Sequence, residues 1–356
     1  MKKMICLALI CLLAVGAALT LGGCQSFEGG EINVYNWGEF ISDGSDGSMN
    51  VIAEFEEKYN IKVNYTTYET NEQLYTMLKE SNSSYDVIFP SDYMVEKLIA
   101  ENLVQEINFD NLSNYKNVDE TYKNKSFDPD NKYSIPYSWG VVALCYNKTM
   151  VNGEEIKGFS DLWNENLKGK ILMIDNSRDA MAIAMTLTGG DPTNATKADI
   201  DKAYDKLVAQ KPLLKKYVMD LVFNEMEGSQ AAIAPYYAGD IYTMMDNNED
   251  LDYCLPEEGS NYFIDSVCIP ASAKNIEGAE KFINFLLEAE VAKANAEYIG
   301  YSTPNSAAFE LLDDEVKNNP LIYPPKEYLD KCYLFANLPQ DVYDYMQTKF
   351  TDVKAQ

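Results

Sequence analysis

Histidine is absent from this 356-residue chain, and arginine occurs once, at Arg178. The first absence excludes Ser-His-Asp and Cys-His nucleophilic catalysis and removes the commonest transition-metal ligand. The sequence therefore predicts no metal site and no bound cofactor. The second leaves a single guanidinium for gripping a carboxylate. Cationic side chains are scarce altogether, with 29 Lys and Arg against 56 Asp and Glu, a net charge of −27. Such a surface does not suit nucleic acid, whose binding depends on neutralising phosphates. Its summed field favours a cationic ligand, although acidity by itself also serves solubility. The seven cysteines include no C-x-x-C pair, so neither a zinc cluster nor a redox pair is suggested. No repeat of fixed period and no low-complexity tract interrupts the chain.

One long apolar run is present. Lys2 and Lys3 precede Met4–Leu21, and Leu21-Gly22-Gly23-Cys24 follows. A positive start, a short apolar stretch and small residues at its end describe a secretory leader rather than a span, for which the run is at the lower limit of length. The segment ending at Cys24 resembles the lipobox of bacterial lipoproteins, in which the cysteine receives a diacylglycerol. We therefore expect a leader over residues 1–23, lipidation at Cys24 and a polar tether over residues 24–30. The mature protein is expected outside the cytoplasm, lipid-anchored to the cell membrane in a periplasm or on the outer surface. That compartment permits disulfides among Cys145, Cys254, Cys268 and Cys332, but their spacing assigns none.

Past the tether, strand and helix patterns alternate. "EINVYNW" (31–37), "IKVNYTTYE" (61–69) and "YDVIFPS" (85–91) read as strands. Helical spacing between and after them covers 49–59, 72–80 and 92–103, with Asn71 as a candidate cap for the second. Prolines and aromatics break the pattern at 128–140, and a second alternating unit begins. It has strands over 141–147, 170–175, 231–237 and 262–270. Its helices are expected over 161–167 (capped by Ser160), 177–187, 196–210 (Thr196 with Asp199 as a capping box), 239–247 and 277–300. Two α/β units of this kind fit a two-domain clamp, with ligands at the carboxyl ends of the strands. Trp37, Ser91, Asn176, Asp179 and Tyr237 all stand at such ends.

"YFIDSVCIP" (262–270) contains a carboxylate that a buried strand normally excludes. Burying a charge without a partner costs several kcal/mol, so Asp265 calls for a cation, from the protein or from a ligand.

The segments "YNWGEFI" (35–41), "VIFPSDYMVEKLIAENLV" (87–104), "FDPDNKYSIPYSWG" (127–140), "DSVCIPASAKNIEGAEKFINFLL" (265–287) and "IGYSTPNSAA" (299–308) resemble those of bacterial spermidine/putrescine-binding proteins. These are the extracytoplasmic substrate-binding lipoproteins of polyamine ABC transporters. The resemblance implies a two-lobed, type II periplasmic-binding-protein-like α/β fold with a ligand cleft between the lobes. Lobe 1 would comprise residues 31–136 plus 266–303, and lobe 2 residues 137–265 plus 304–356, joined by hinge crossovers. It further implies a monomer that binds a polyamine and delivers it to a transmembrane permease. By motif match, Trp37, Ser91, Tyr93, Asn176, Asp179, Tyr237, Phe263, Asp265 and Tyr301 are the expected ligand-binding residues. Asn176 stands where some relatives carry a second acid, which makes putrescine a competitor of trivalent spermidine.

The residue types agree with that ligand. An alkylammonium leaving water must be given charge and acceptors, and aromatic faces both pack methylenes and attract the cation by about 0.5–2 kcal/mol. Two other readings fit part of the pattern. One is a binding protein of the same build for an amino acid, a sugar or a ferric complex. The other is a secreted glycosidase with Asp179 and Asp265 as paired acids. The lone arginine and the missing histidine weigh toward a polyamine-binding protein and away from an enzyme.

Overall fold

Strand β1 (Glu31–Trp37) begins the sheet because its residues alternate between a buried row, Ile32 and Val34, and a partly exposed one. The computed structural model describes residues 27–80 and 84–356, so the leader and Cys24 lie outside the described residues. β1 pairs in parallel with β2 (Lys62–Tyr68) and with β3 (Val87–Ile88). The crossover helix Val51–Tyr59 starts where the Asn50 side chain accepts from the Ala53 N–H, and ends at Asn60 in the left-handed region. Its Phe55 packs edge-on against Phe282 of the helix Ile276–Leu286, with ring centroids 4.9 Å apart. That contact lies inside one apolar core.

The other strands are β4 (Ser134–Asn147), β5 (Ile171–Ile174), β6 (Leu214–Val218), β7 (Ile233–Tyr237), β8 (Leu251–Cys254) and β9 (Tyr262–Cys268). The nine strands run in the order β2-β1-β3-β9-β4-β7-β5-β6, with β8 also on β4. A second core surrounds β5 and β7 and includes Met181, Leu207 and Ile233.

β4 and β9 connect the two cores. The first part of β4, Ser134–Val141, pairs antiparallel with β9, and the second, Val142–Asn147, pairs with β7 and β8. The register slips between Pro136 and Ser138, where proline has no N–H to give the ladder. That slip sets Asp265 opposite Ser138, and a bridge sets Ser91 beside Asp265. A third passage is made by residues 299–305, where the Trp139 N–H donates to the Ser302 carbonyl at 3.0 Å. Asn305 secures its far end: its side chain accepts from the Ala308 N–H at 2.9 Å and donates to the Leu287 carbonyl at 2.9 Å.

Some local expectations shift. The Asn71 carboxamide accepts from the Ser91 N–H at 3.2 Å, and Thr70 takes over the cap by accepting from Gln73 at 3.2 Å. The helix expected over 161–167 is two short 3-10 turns, Phe159–Trp163 and Glu165–Leu167. The expected long helix over 277–300 is two, Ile276–Leu286 and Ala289–Ile299, because Glu288 takes an extended backbone. The Thr196–Asp199 capping box forms as expected. Cys145, Cys254, Cys268 and Cys332 are all unpaired. Among the described residues, no helix is long and apolar enough to cross a membrane.

Because Asn305 is buried and uses both ends of its amide, Asn305→Ala should lower unfolding stability by about 1–3 kcal/mol. A urea titration reads this as a lower midpoint at unchanged slope; an unchanged midpoint would show that residues 299–305 are held by other contacts.

Candidate functional site

The strand ends, the slip in β4 and the 299–305 passage meet around a cavity of about 690 Å³, counted out to its mouth. All nine residues expected from the sequence line it.

Asp265 is 5 % exposed and its Oδ1 accepts from the Ser91 hydroxyl at 2.6 Å. Ser91 stands at the start of the helix Asp92–Ala100, yet its side chain makes no capping bond; its hydroxyl is committed to Asp265. Burial pushes the Asp265 carboxyl up to about 7, and the charge of Asp179 adds to that while the Ser91 hydrogen bond opposes it. Asp179 is 4 % exposed. Its Oδ2 accepts from the Tyr237 hydroxyl at 2.9 Å, while its Oδ1 is buried with no partner. Burial raises this carboxyl to about 6.

Among the described residues, no ion pair involves Asp92, Asp179, Asp240 or Asp265. The lone arginine adjoins Asp179 in sequence but turns away. It donates to the backbone carbonyls of Thr193 at 3.2 Å and Ala336 at 3.0 Å, and its guanidinium lies over the Phe335 ring at 4.5 Å. Asp175, the other acid near this strand end, pairs with Lys354 at 2.6 Å and does not line the cavity. Asn176 caps the helix Ser177–Thr188, its Oδ1 accepting from the N–H groups of Arg178 and Asp179.

The aromatic walls are held from behind. The Trp37 indole N–H and the Tyr68 hydroxyl both donate to the Phe89 carbonyl, at 2.7 and 2.6 Å. Phe263 stands edge-on to Tyr237 at 5.5 Å and at 6.1 Å from Tyr301. Gly140 makes room for it, since a Cβ there would lie 2.9 Å from Phe263 Cζ. Tyr93 lines the cavity with its ring and donates its hydroxyl to Glu72 at 3.2 Å.

Sequence reasoning passed over further lining residues, among them Asp240, Asp92, Asn261 and Phe335. Asp240 receives the Tyr301 hydroxyl on Oδ2 at 3.0 Å, and burial raises its carboxyl to about 8. Asp92 sits fully buried beneath the floor, accepting from the N–H groups of Tyr93 and Ile264, with its carboxyl also raised to about 8 by burial. Asn261 adds a buried, unpartnered Oδ1. Phe335 comes from the C-terminal stretch and closes one side. At the mouth, Glu69 and Asp220 are exposed carboxylates. The cavity can therefore receive a cation with apolar segments: acceptors lie deep, rings line the walls, and its lining includes no lysine or arginine.

The model of the family described as bacterial extracellular solute-binding protein matches residues 50–324. The spermidine/putrescine-binding periplasmic protein of Escherichia coli K12 is 36 % identical over 318 residues, 89 % of this chain and 90 % of that protein. A solved Listeria monocytogenes structure, assigned to a spermidine/putrescine ABC transporter, is 36 % identical and superposes with a TM-score of 0.86. It covers 91 % of this chain and 98 % of its own. The substrate-binding protein of a spermidine/putrescine ABC transporter from Streptococcus pneumoniae is 33 % identical, with a TM-score of 0.77 over 91 % and 98 %. The fold is thus the two-lobed type II arrangement expected from the sequence.

The raised carboxyls fix a pH dependence. In the unfolded chain they titrate near 4, whereas in the native cavity Asp179 and Asp265 hold their protons to about 6 and 7. The native state binds more protons across that interval, so their contribution to stability declines as pH rises from about 4 to about 7. Thermal unfolding of the ligand-free protein should show a midpoint falling between pH 5 and 8. Asp265→Asn should flatten part of that fall; an equally steep fall in the variant would contradict the assignment.

Proposed function

The chain belongs to the bacterial extracellular solute-binding protein family, and from that premise we propose that it captures a linear polyamine, spermidine or putrescine, and delivers it to the permease of an ABC importer. The observation that carries the reading is a buried carboxylate array framed by aromatic rings, without an ion-paired protein cation among the described residues. Ammonium groups would supply the missing charge, and the methylenes between them would lie against Trp37, Tyr237 and Phe263.

An amino acid fits less well. Its α-carboxylate would meet Asp179 and Asp265, and Arg178 is spent on backbone carbonyls. We assign no catalytic step to the site. In this reading the nine predicted residues contact the ligand, with Asn176 offering its NH₂ edge and Tyr93 its ring.

Capture proceeds by hinge closure. One lobe carries the core around β1 and the other the core around β5, with β4, β9 and residues 299–305 as the three crossovers. Residues 304–312 go with the first lobe, since Pro304 accepts from the Asp119 N–H and the Ser306 hydroxyl donates to the Asn117 carbonyl. A polyamine touching both lobes favours the closed form by its extra contacts there, and the permease would read that form. The exposed acids at the mouth attract the cation on approach. In this reading the protein works outside the cytoplasm as a monomer, anchored by lipid on Cys24.

Calorimetric titration of the chain lacking residues 1–24 tests the reading. Spermidine or putrescine should bind saturably while glutamate gives no heat; silence from both polyamines in ligand-stripped protein would overturn it. Asp265→Asn should fold normally and lose about 10- to 100-fold in affinity for either polyamine, the range for removing a charged hydrogen-bond acceptor. Unchanged affinity would remove Asp265 from the site.

A further inference from the structure

We propose that Glu72 is a positioning residue that joins the cavity-lining Tyr93 to a latch between the lobes, closed by the Tyr343 hydroxyl. The inference rests on the polyamine reading above and goes beyond it by naming side chains outside the cavity that hold the closed form.

The latch lies apart from the three crossovers. One side is formed by the helices Asn71–Glu80 and Asp92–Ala100, whose Leu74 and Leu98 are buried in one cluster with Tyr35, Tyr68 and Ile88 of β1, β2 and β3. The other side is residues 335–343, which lead into the helix Gln340–Ala355. That helix belongs with the second lobe: Met346, Phe350 and Val353 sit in the core around β5 and β7, and the Gln347 amide donates to the Ser177 hydroxyl at 2.7 Å.

Three hydrogen bonds cross between these sides. The Tyr343 hydroxyl donates to Glu72 Oε1 at 3.1 Å, the Asn337 N–H to Glu96 Oε2 at 2.7 Å, and Lys97 Nζ to Gln340 Oε1 at 2.8 Å. The Lys97 ammonium also lies 5.2 Å from the centre of the Tyr343 ring. Glu72 and Lys97 each keep a partner in their own lobe as well. Glu72 Oε1 accepts from the Tyr93 hydroxyl at 3.2 Å. Lys97, only 4 % exposed, stands 3.1 Å from Glu101 and 4.6 Å over the Tyr75 ring. Opening therefore gives up the contacts between lobes without leaving a desolvated ion unpaired, which would be the expensive outcome. The latch is built to release.

Glu72 ties this junction to the cavity. A single oxygen receives two hydroxyls, one from a cavity-wall tyrosine of its own lobe and one from a remote tyrosine of the other. The Tyr93 ring stands edge-on to Phe335 at 5.9 Å, and Phe335 lines the cavity from the second lobe, where Arg178 holds the neighbouring Ala336 carbonyl. A ligand packed against Tyr93 and Phe335 holds together the surfaces that bring Tyr343 to Glu72. Glu72, Lys97, Gln340 and Tyr343 do not line the cavity, so they act on the ligand through closure alone, by favouring the form that retains it.

The test is stopped-flow association and release of spermidine and putrescine with wild type, Tyr343→Phe, Glu72→Ala and the double variant, circular dichroism confirming folding. Phenylalanine keeps the ring beside Lys97 and removes only the hydroxyl. Tyr343→Phe should release either polyamine about three- to tenfold faster while associating no more slowly, as fits one hydrogen bond made only in the closed form. In the Glu72→Ala background the same change should alter release by less than about twofold, because the shared bond is already gone. Equal release rates for wild type and Tyr343→Phe would overturn the latch, as would fully additive effects or a loss confined to slower association. Wild type that binds neither polyamine would sink the functional reading and the latch with it, a result distinct from binding with unchanged release.

Discussion

Carboxylates buried without a cation are the constraint on which the remainder of this structure depends. Taking an ionised aspartate out of water costs several kcal/mol unless charge or hydrogen bonds replace the lost hydration. Here the replacement is partial: Ser91, Tyr237 and Tyr301 each give one neutral hydrogen bond, and burial raises the carboxyls of Asp265, Asp179 and Asp240. A neutral donor holds a carboxylate in place without cancelling its charge. A lysine at the same distance would cancel it and leave nothing for a ligand to do.

The scaffold has to supply the stability that such a site removes, and it does so on both sides of the cleft. Each core is built from fully buried aliphatic and aromatic side chains on strands and helices of its own. The site residues sit where these frameworks end: Trp37 at the end of β1, Asn176 after β5, Tyr237 at the end of β7. Strands β4 and β9 are the exception, since both run through the boundary. Their pairing holds Asp265 and Phe263 mid-strand, where a backbone ladder fixes them more firmly than a loop would. The slip at Pro136 shifts the register of β4 against β9, and Gly140 leaves the space that Phe263 fills.

Much of this was legible in the sequence because the site breaks local rules there. An acid inside "YFIDSVCIP" contradicts the strand around it, and that contradiction identified Asp265 before any geometry was known. Strand ends marked by aromatics and small polar residues gave Trp37, Ser91 and Tyr237 in the same way, and the family resemblance added Tyr301. Asp240 broke no rule. An acid in the first turn of a helix is ordinary, and only its contact with Tyr301, 61 residues away, distinguishes it. Asn261 and Phe335 are likewise defined by long-range neighbours. In the fold, β6 and β8 were missed because short strands at sheet margins carry little alternation, and the break at Glu288 was hidden by helix-forming residues on both sides. Asn71 shows the limit of capping signals: a carboxamide beside a helix start bonds wherever tertiary contacts offer a better partner.

The scarcity of cations that marks the composition has a meaning in the cavity that it lacks on the surface. Lysines elsewhere pair with exposed acids along helices and between loops, as Lys281 does with Glu277 and Lys326 with Asp330, contacts worth little in water. The one arginine lies next to Asp179 in sequence, and its guanidinium is drawn off by carbonyls of residues 193 and 336 and by the Phe335 ring. From there it moderates the charges of Asp92 and Asp179 without bonding to either. That distance matters. Close enough to pair, Arg178 would satisfy Asp179 Oδ1 and fill the site with the protein's own charge. At its present reach Arg178 leaves Asp179 Oδ1 vacant for a cation brought by the ligand.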